Sequence, residues 1–269
     1  MTIYINPHSR QQLEAMHTHM PQCLLVHAQQ GIGAKTIMSY FLTHKDNEIF
    51  TIQPDDKNNI SIEQIRLMQQ QITKKSVKRR YIIIDRAHLL SVQAQNSLLK
   101  SLEEPQKNVY FILITFRPSG LLATVRSRAQ KIELLPISLD ESRSLIKKKG
   151  ITDTKKVEQL LFIAQGLPSE LTRLIQDEIY FQRVLEAITK ARNFLQSNRY
   201  QRCVQIQELS KTRETAQEFI AYCLRMLSFS YFQNPADQTI RHIEKFLDIE
   251  TALEQNANVK LQLLKTLLK

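Results

Sequence analysis

The 269-residue chain is predicted to be an α/β domain built on a doubly wound parallel sheet, followed by all-helical sequence. Three observations point there. Short apolar runs at 22–28, 48–54, 81–85, 109–115 and 131–136 alternate with helical segments, the pattern of strands covered on both faces. After Pro136 no such run recurs, and Leu and Gln at helical spacing carry the rest. Gly and Pro number only 5 and 8, too few for long flexible linkers.

The elements follow in order. "QCLLVHA" (22–28) reads as a buried strand that enters a loop at Gly31 and Gly33, and "KTIMSYFLT" continues at helical spacing. Strand, glycine turn and helix is the setting of a phosphate-binding loop. "EIFTIQP" (48–54) is a second strand. "SIEQIRLMQQQIT" opens with a capping box, Ser61 and Gln64, in which two side chains satisfy free amides at a helix start. "YIIID" (81–85) is a run of the central-strand type closing on an aspartate. "SVQAQNSLLKSLEE" is a helix capped by Ser91, with Ala94, Leu98, Leu99 and Leu102 on one face and Pro105 as its stop. "VYFILIT" (109–115) and "KIELLP" (131–136) complete the strands. The core domain therefore runs over 1–136.

Beyond it, "SLDESRSLIKKKG" has a second capping box, Ser138 and Glu141, and ends in three lysines and Gly150; cations suit a helix C-terminus and glycine the left-handed stop. Helices from Thr154 to Gln165 and from Pro168 to about Asp177 complete a small lid, 137–178. From Ile179 to 269 the long amphipathic segments predict a helical bundle of about ninety residues.

Composition narrows the function classes. The net charge is +11, with +7 in residues 1–136 (17 Lys and Arg against 10 Asp and Glu) and +4 in 137–269 (20 against 16). A chain this basic works near a polyanion, nucleic acid first, or uses its lysines for solubility. Cys23, Cys203 and Cys223 are far apart, so neither a zinc cage nor a disulfide framework is expected. The first residues lack an apolar stretch of signal-peptide length, and no run reaches the roughly 18 residues of a membrane span. A cytoplasmic location without membrane contact is expected.

Candidate chemistry falls at four places. "HAQQGIGAKT" (27–36) nearly spells the phosphate loop G-x-x-x-x-G-K-[ST], but Ala28, Gly33, Ala34 and Lys35 fill its slots. Lys35 stands one residue late, and one step along a helix turns a side chain by about 100°. Gly31, Gly33, Lys35, Thr36 and Asp85 are thus read as a degenerate nucleotide set, with neither ATP nor magnesium expected to be bound productively; a live site is the competing reading. In "IIIDRAH" (82–88), Asp85 ends the strand where an ATPase holds magnesium, but Arg86 stands where a carboxylate would position water, and a cation cannot act as that base. A plain strand-end turn is the other reading of Asp85, and His88 is expected to be packed, not a metal ligand. In "LLATVRSRAQ" (121–130), Arg126 and Arg128 flank Ser127; guanidinium groups bind oxyanions bidentately, on DNA or in a neighbour's phosphate site, and a solvated face is the other reading of the pair. Lys74, Lys75, Lys78, Arg79 and Arg80 form a basic cluster read either as a DNA contact or as a solvated face.

The segment "IIIDRAHLLSVQAQNSLLKSLEEP…FILITFRPSGLLATVRSRAQ" resembles the delta-prime subunits of the bacterial DNA polymerase III clamp loader, members of the AAA+ group. "NSLLKSLEEP" (96–105) and "LLATVRSR" (121–128) carry the resemblance most specifically, and "GLPSEL" (166–171) and "NANVKLQLLKTLL" (256–268) extend it. It implies an AAA+ core, a lid and a collar that joins a five-subunit, hetero-oligomeric ring with delta and gamma/tau subunits. It also implies the loading of a sliding clamp on primed DNA, and an arginine finger, here Arg128 after Ser127, offered to a neighbouring ATPase subunit. Three departures stand out. Ala129 replaces the cysteine of the family's Ser-Arg-Cys. "LTHKDNEIF" joins helix to strand without the four-cysteine zinc module, so no zinc is implied. Ser169 holds the slot where ATPase members carry a nucleotide-sensing arginine. The leading expectation is a non-hydrolysing subunit of a DNA polymerase holoenzyme. The alternatives are an active ATPase motor subunit of the gamma/tau kind and a stand-alone DNA-binding protein.

Overall fold

The computed structural model describes residues 3–43, 47–72 and 77–267. They fall into two compact units, 1–176 and 177–269. In the first, β1 (Cys23–Ala28), β2 (Asn47–Ile52), β3 (Arg79–Ile84), β4 (Val109–Thr115) and β5 (Gln130–Leu134) form a sheet of order β2-β3-β4-β1-β5 with every pairing parallel. The central strands β1 and β4 and the end of β3 are apolar because both faces are covered, while the edge strands β2 and β5 keep polar residues. Cys23, Leu25, Ile82, Ile84, Phe111 and Leu113 face α3 (Ile62–Ile72) and α4 (Val92–Glu103). Leu24, Val26, Ile83, Ile112 and Ile114 face α1 (Pro7–Thr18) and α2 (Ala34–Leu42). This is the doubly wound arrangement predicted, and its carboxyl edge is where ligands of such sheets bind.

Local signals set the ends of the helices. Ser91 Oγ accepts from Ala94 N–H at 3.1 Å, and Gln64 Oε1 accepts from Ser61 N–H at 2.9 Å. α1 has no counterpart in the sequence reading; Asn6 caps it and Pro7 starts it, but Leu13 is its one fully apolar core residue. A short α5 (Ala123–Arg126) precedes β5.

α6 (Leu139–Lys148), α7 (Thr154–Ala164) and α8 (Pro168–Gln176) build the lid within the same unit. The Ser138/Glu141 capping box is complete, and Gly150 takes φ +79° after α6. The two compact units meet at 176/177. Asp177 accepts from Tyr180 N–H at 2.9 Å and so caps α9 (Glu178–Gln196), which opens the second unit.

That unit continues with α10 (Arg199–Leu209), α11 (Arg213–Gln233), α12 (Asp237–Glu254) and α13 (Val259–Leu264). Phe194, Ile220, Cys223, Ile249 and Leu253 are fully buried in it, and the Phe194 and Phe219 rings meet edge to face at 5.0 Å. Arg213 donates to the carbonyls of Leu253 (2.5 Å) and Ala257 (3.0 Å), closing the free C-terminal end of α12.

Candidate functional site

The loop between β1 and α2 turns through two left-handed glycines before the helix starts. Gly31 and Gly33 take φ +95° and +85°, and Gly33 stands at the N-cap of α2. Ala34, in the lysine slot, is buried; Lys35 is half-buried one position on, and Thr36 is exposed. The lid occupies the outer side of this loop. The carbonyl of Gly31 accepts two N–H groups from the start of α8, Ser169 at 2.8 Å and Glu170 at 2.9 Å. A Cβ on Gly31 would meet Glu170 Cβ at 3.0 Å, and one on Gly33 would meet Ser169 Cβ at 3.1 Å. Ser169, the residue standing where a nucleotide-sensing arginine is expected, is therefore a packing and backbone contact of the loop.

The ends of β3 and β4 adjoin this region, β4 lying between β1 and β3. Asp85 is half-buried just past β3. Arg86 adopts the left-handed conformation at φ +52°, and its Nη1 donates to Asn58 Oδ1 at 3.2 Å. The slot that would need a carboxylate thus holds a cation tied to a neighbouring turn. The lysine slot thus holds a buried methyl, the water-positioning slot a cation, and the lid's first turn packs on both glycines.

His88 is a packed residue. Its Nδ1 pairs with Thr115 Oγ1 at 3.1 Å, its ring lies edge-on to Phe116 at 4.2 Å, and Gly120 abuts its Cβ. Burial, then the positive charges of Arg117 and Arg86, push its pKa down to about 4. The folded value lies below the ordinary 6.5, so the unfolded chain takes the proton more readily. His88 therefore contributes stability that is complete above about pH 6.5 and is lost as pH falls towards 4. The thermal midpoint is expected to drop between pH 7 and pH 4.5 by more in the native chain than in His88→Gln; equal drops would show that this imidazole does not drive the dependence.

Arg128 lies on the surface between α5 and β5. Its Nη2 pairs with Glu103 Oε1 in the last turn of α4, and its Nη1 donates to the Thr124 carbonyl at 2.8 Å. Ser127 is exposed, its Oγ bonded to the same Thr124 carbonyl at 3.1 Å. Arg126 is half-buried, and its Nε has no hydrogen-bond partner among the described residues.

Of the basic cluster, Lys74 and Lys75 lie outside the described residues. Lys78 and Arg79 are exposed. Arg80 is buried, with Nε on Glu48 Oε2 at 2.9 Å and Nη1 on the Ile72 carbonyl at 3.0 Å. Strand alternation puts Arg80 on the face of Ile82 and Ile84, against α3 and α4, so Arg80 fastens β3 to β2 and to the end of α3.

Two residues escaped the sequence reading. Gln95 is buried in α4; its Nε2 donates to the carbonyls of Leu90 (3.1 Å) and Gly120 (3.2 Å), and its Oε1 accepts from Leu122 N–H at 2.7 Å. It ties the segments after β3 and β4 to the start of α5. Glu103 is the other. A buried amide interrupting the apolar face of α4 was the one available signal for Gln95. Among the described residues there is no cluster of three or more His, Cys, Asp or Glu that could hold a metal, and no helix is long and apolar enough to cross a membrane.

The sheet order, the glycine loop and the helical lid define a P-loop-type domain of the AAA+ class. A gamma subunit-related protein of DNA polymerase III from Thermotoga maritima shares this fold, with a TM-score of 0.53 at 18% identity over 95% of this chain and 97% of that one. Over part of its length the chain is similar to delta-prime subunits of DNA polymerase III. Residues 35–138 match the family model described as DNA polymerase III, delta subunit. The chain is 30% identical to the delta-prime subunit of DNA polymerase III from Pseudomonas aeruginosa over 154 residues, 55% of this chain and 46% of the relative. It is 35% identical to the tau subunit from Bacillus subtilis over 89 residues, 32% of this chain and 16% of the relative. It spans between 39% and 65% of the length of the first delta-prime relatives it matches.

Proposed function

We propose that the chain is a non-hydrolysing, delta-prime-type subunit of a clamp loader. It assembles with delta- and gamma/tau-type subunits into a hetero-oligomeric ring in the cytoplasm, helps place a sliding clamp on primed DNA, and offers Arg128 to a neighbour's nucleotide. The observation that carries the reading is the state of its own nucleotide region: Ala34, Arg86 and Ser169 replace three charged groups that ATP turnover uses, and the amides of Ser169 and Glu170 hold the Gly31 carbonyl. Losing one positioned electrostatic group typically costs on the order of 10²–10³ in rate, so three losses leave no useful turnover. Arg128 presents the complementary half of such a site at an exposed edge. Productive binding of ATP, magnesium or zinc by this chain forms no part of this role.

The isolated chain is expected to show no saturable, magnesium-dependent binding of a fluorescent ATP analogue up to about 1 mM, the range of only ~4 kcal/mol of affinity. Micromolar binding with turnover would make it a motor subunit instead, the reading that its likeness to a tau subunit favours. Tight duplex binding by the chain alone, steeply weakened by salt, would point to a stand-alone DNA-binding protein.

A further inference from the structure

Arg128 is anchored at two of its three guanidinium nitrogens. Nη1 donates back to Thr124, one turn earlier, and Nη2 to Glu103. Two anchors fix the plane of the group, which a single exposed ion pair does not. Glu103 in turn stands on a rigid support. It closes α4, whose Leu98 and Leu102 are buried against the sheet. About a third of the Arg128 side chain and about half of that of Glu103 remain open to solvent, so the guanidinium keeps donors for an anion arriving from outside. An arginine held this way surrenders little rotamer freedom when it meets a phosphate.

We propose that Glu103 is the positioning residue of Arg128: it presents the guanidinium in a set orientation at the edge of α5 so that a neighbour's triphosphate meets it preformed. The inference rests on the finger reading given above. An interaction realised in the transition state appears in kcat and not in KM, and a residue that acts through another has no effect once that other is gone.

The test is a double-mutant cycle on the loader reconstituted with its delta- and gamma/tau-type subunits, reading DNA-stimulated ATP turnover. Glu103→Ala is expected to lower kcat at the neighbouring site that receives Arg128 about 3- to 10-fold, resolved by rapid phosphate-release kinetics, with KM for ATP unchanged. Glu103→Gln keeps an acceptor oxygen at the same reach and should retain most of the turnover. Glu103→Ala combined with Arg128→Ala should be no slower than Arg128→Ala alone. Wild-type kcat in Glu103→Ala beside a slow Arg128→Ala would overturn this inference and leave the finger intact. Additive losses in the double variant, or equal losses in Glu103→Ala and Glu103→Gln, would overturn it as well. Wild-type turnover in Arg128→Ala would remove the finger reading itself, and the inference with it. Thermal unfolding of the variant chain separates misfolding from mispositioning: the exposed pair should move the midpoint by no more than a few degrees.

Discussion

A loader carrying Arg128→Ala is expected to hydrolyse ATP on the order of 10³-fold or more slowly at the neighbouring site that receives this arginine, the scale at which a finger supplied in trans accelerates phosphoryl transfer. Bulk turnover should fall by the share which that site contributes, so rapid phosphate-release kinetics with clamp and primed DNA is the measurement that resolves it. The variant should fold normally. Arg128 is at the surface, and its ion pair with Glu103 belongs to the exposed class worth about 0–1 kcal/mol. Arg128→Lys should recover little, because a lysine is a point charge without the planar fork that grips two phosphate oxygens. Unchanged phosphate-release kinetics in Arg128→Ala would remove the finger from the proposed function.

The same edge separates what the sequence could disclose from what it could not. The strand runs and both capping boxes are local patterns, and their hydrogen bonds close within a few residues, as Ser138 and Glu141 do. Position 34, where a methyl replaces the lysine, is equally local. Pairings across the chain were invisible. Glu48, which claims Arg80, lies 32 residues before it on another strand, and the lid residues that bind Gly31 come well over a hundred residues later. Arg80 therefore read as one more cation in a basic run, although its place in the strand turns it inward. α1 was missed for a different reason: its single core leucine leaves no periodic face to detect, and the helix is set by Asn6, Pro7 and tertiary packing. Glu103 lies within "NSLLKSLEEP", but its partner is reached only when α4 and α5 come together. What the sequence could not supply was the wiring that makes a degenerate loop part of the lid.

That wiring depends on Gly166, and Gly166→Val is expected to be the most damaging single substitution in the first unit. Gly166 follows Gln165, itself left-handed at φ +46°, and takes φ +78° between α7 and α8. Its carbonyl accepts from Ile137 N–H at 2.9 Å, where the chain leaves β5 for the lid. A Cβ there would collide with the Ile137 carbonyl oxygen and press on Pro136 Cβ at 3.1 Å. Backbone cannot swing aside as a flexible side chain does, and a β-branched residue at positive φ is strained in any surroundings. Strain of roughly 1–3 kcal/mol from the backbone adds to about 1–3 kcal/mol of overpacking, so a loss of at least ~3 kcal/mol is expected in chemical denaturation. The effect should reach the loop, because Leu167 packs in the core and the next two residues but one hold the Gly31 carbonyl. Hydrogen exchange is the direct readout: amides of Ser169 and Glu170, protected by Gly31 in the native chain, should exchange faster in Gly166→Val, while those of β4 at the sheet centre change only as global stability does. A native denaturation midpoint in this variant would show that the crossover into the lid yields, and that the lid's hold on the loop does not depend on this turn.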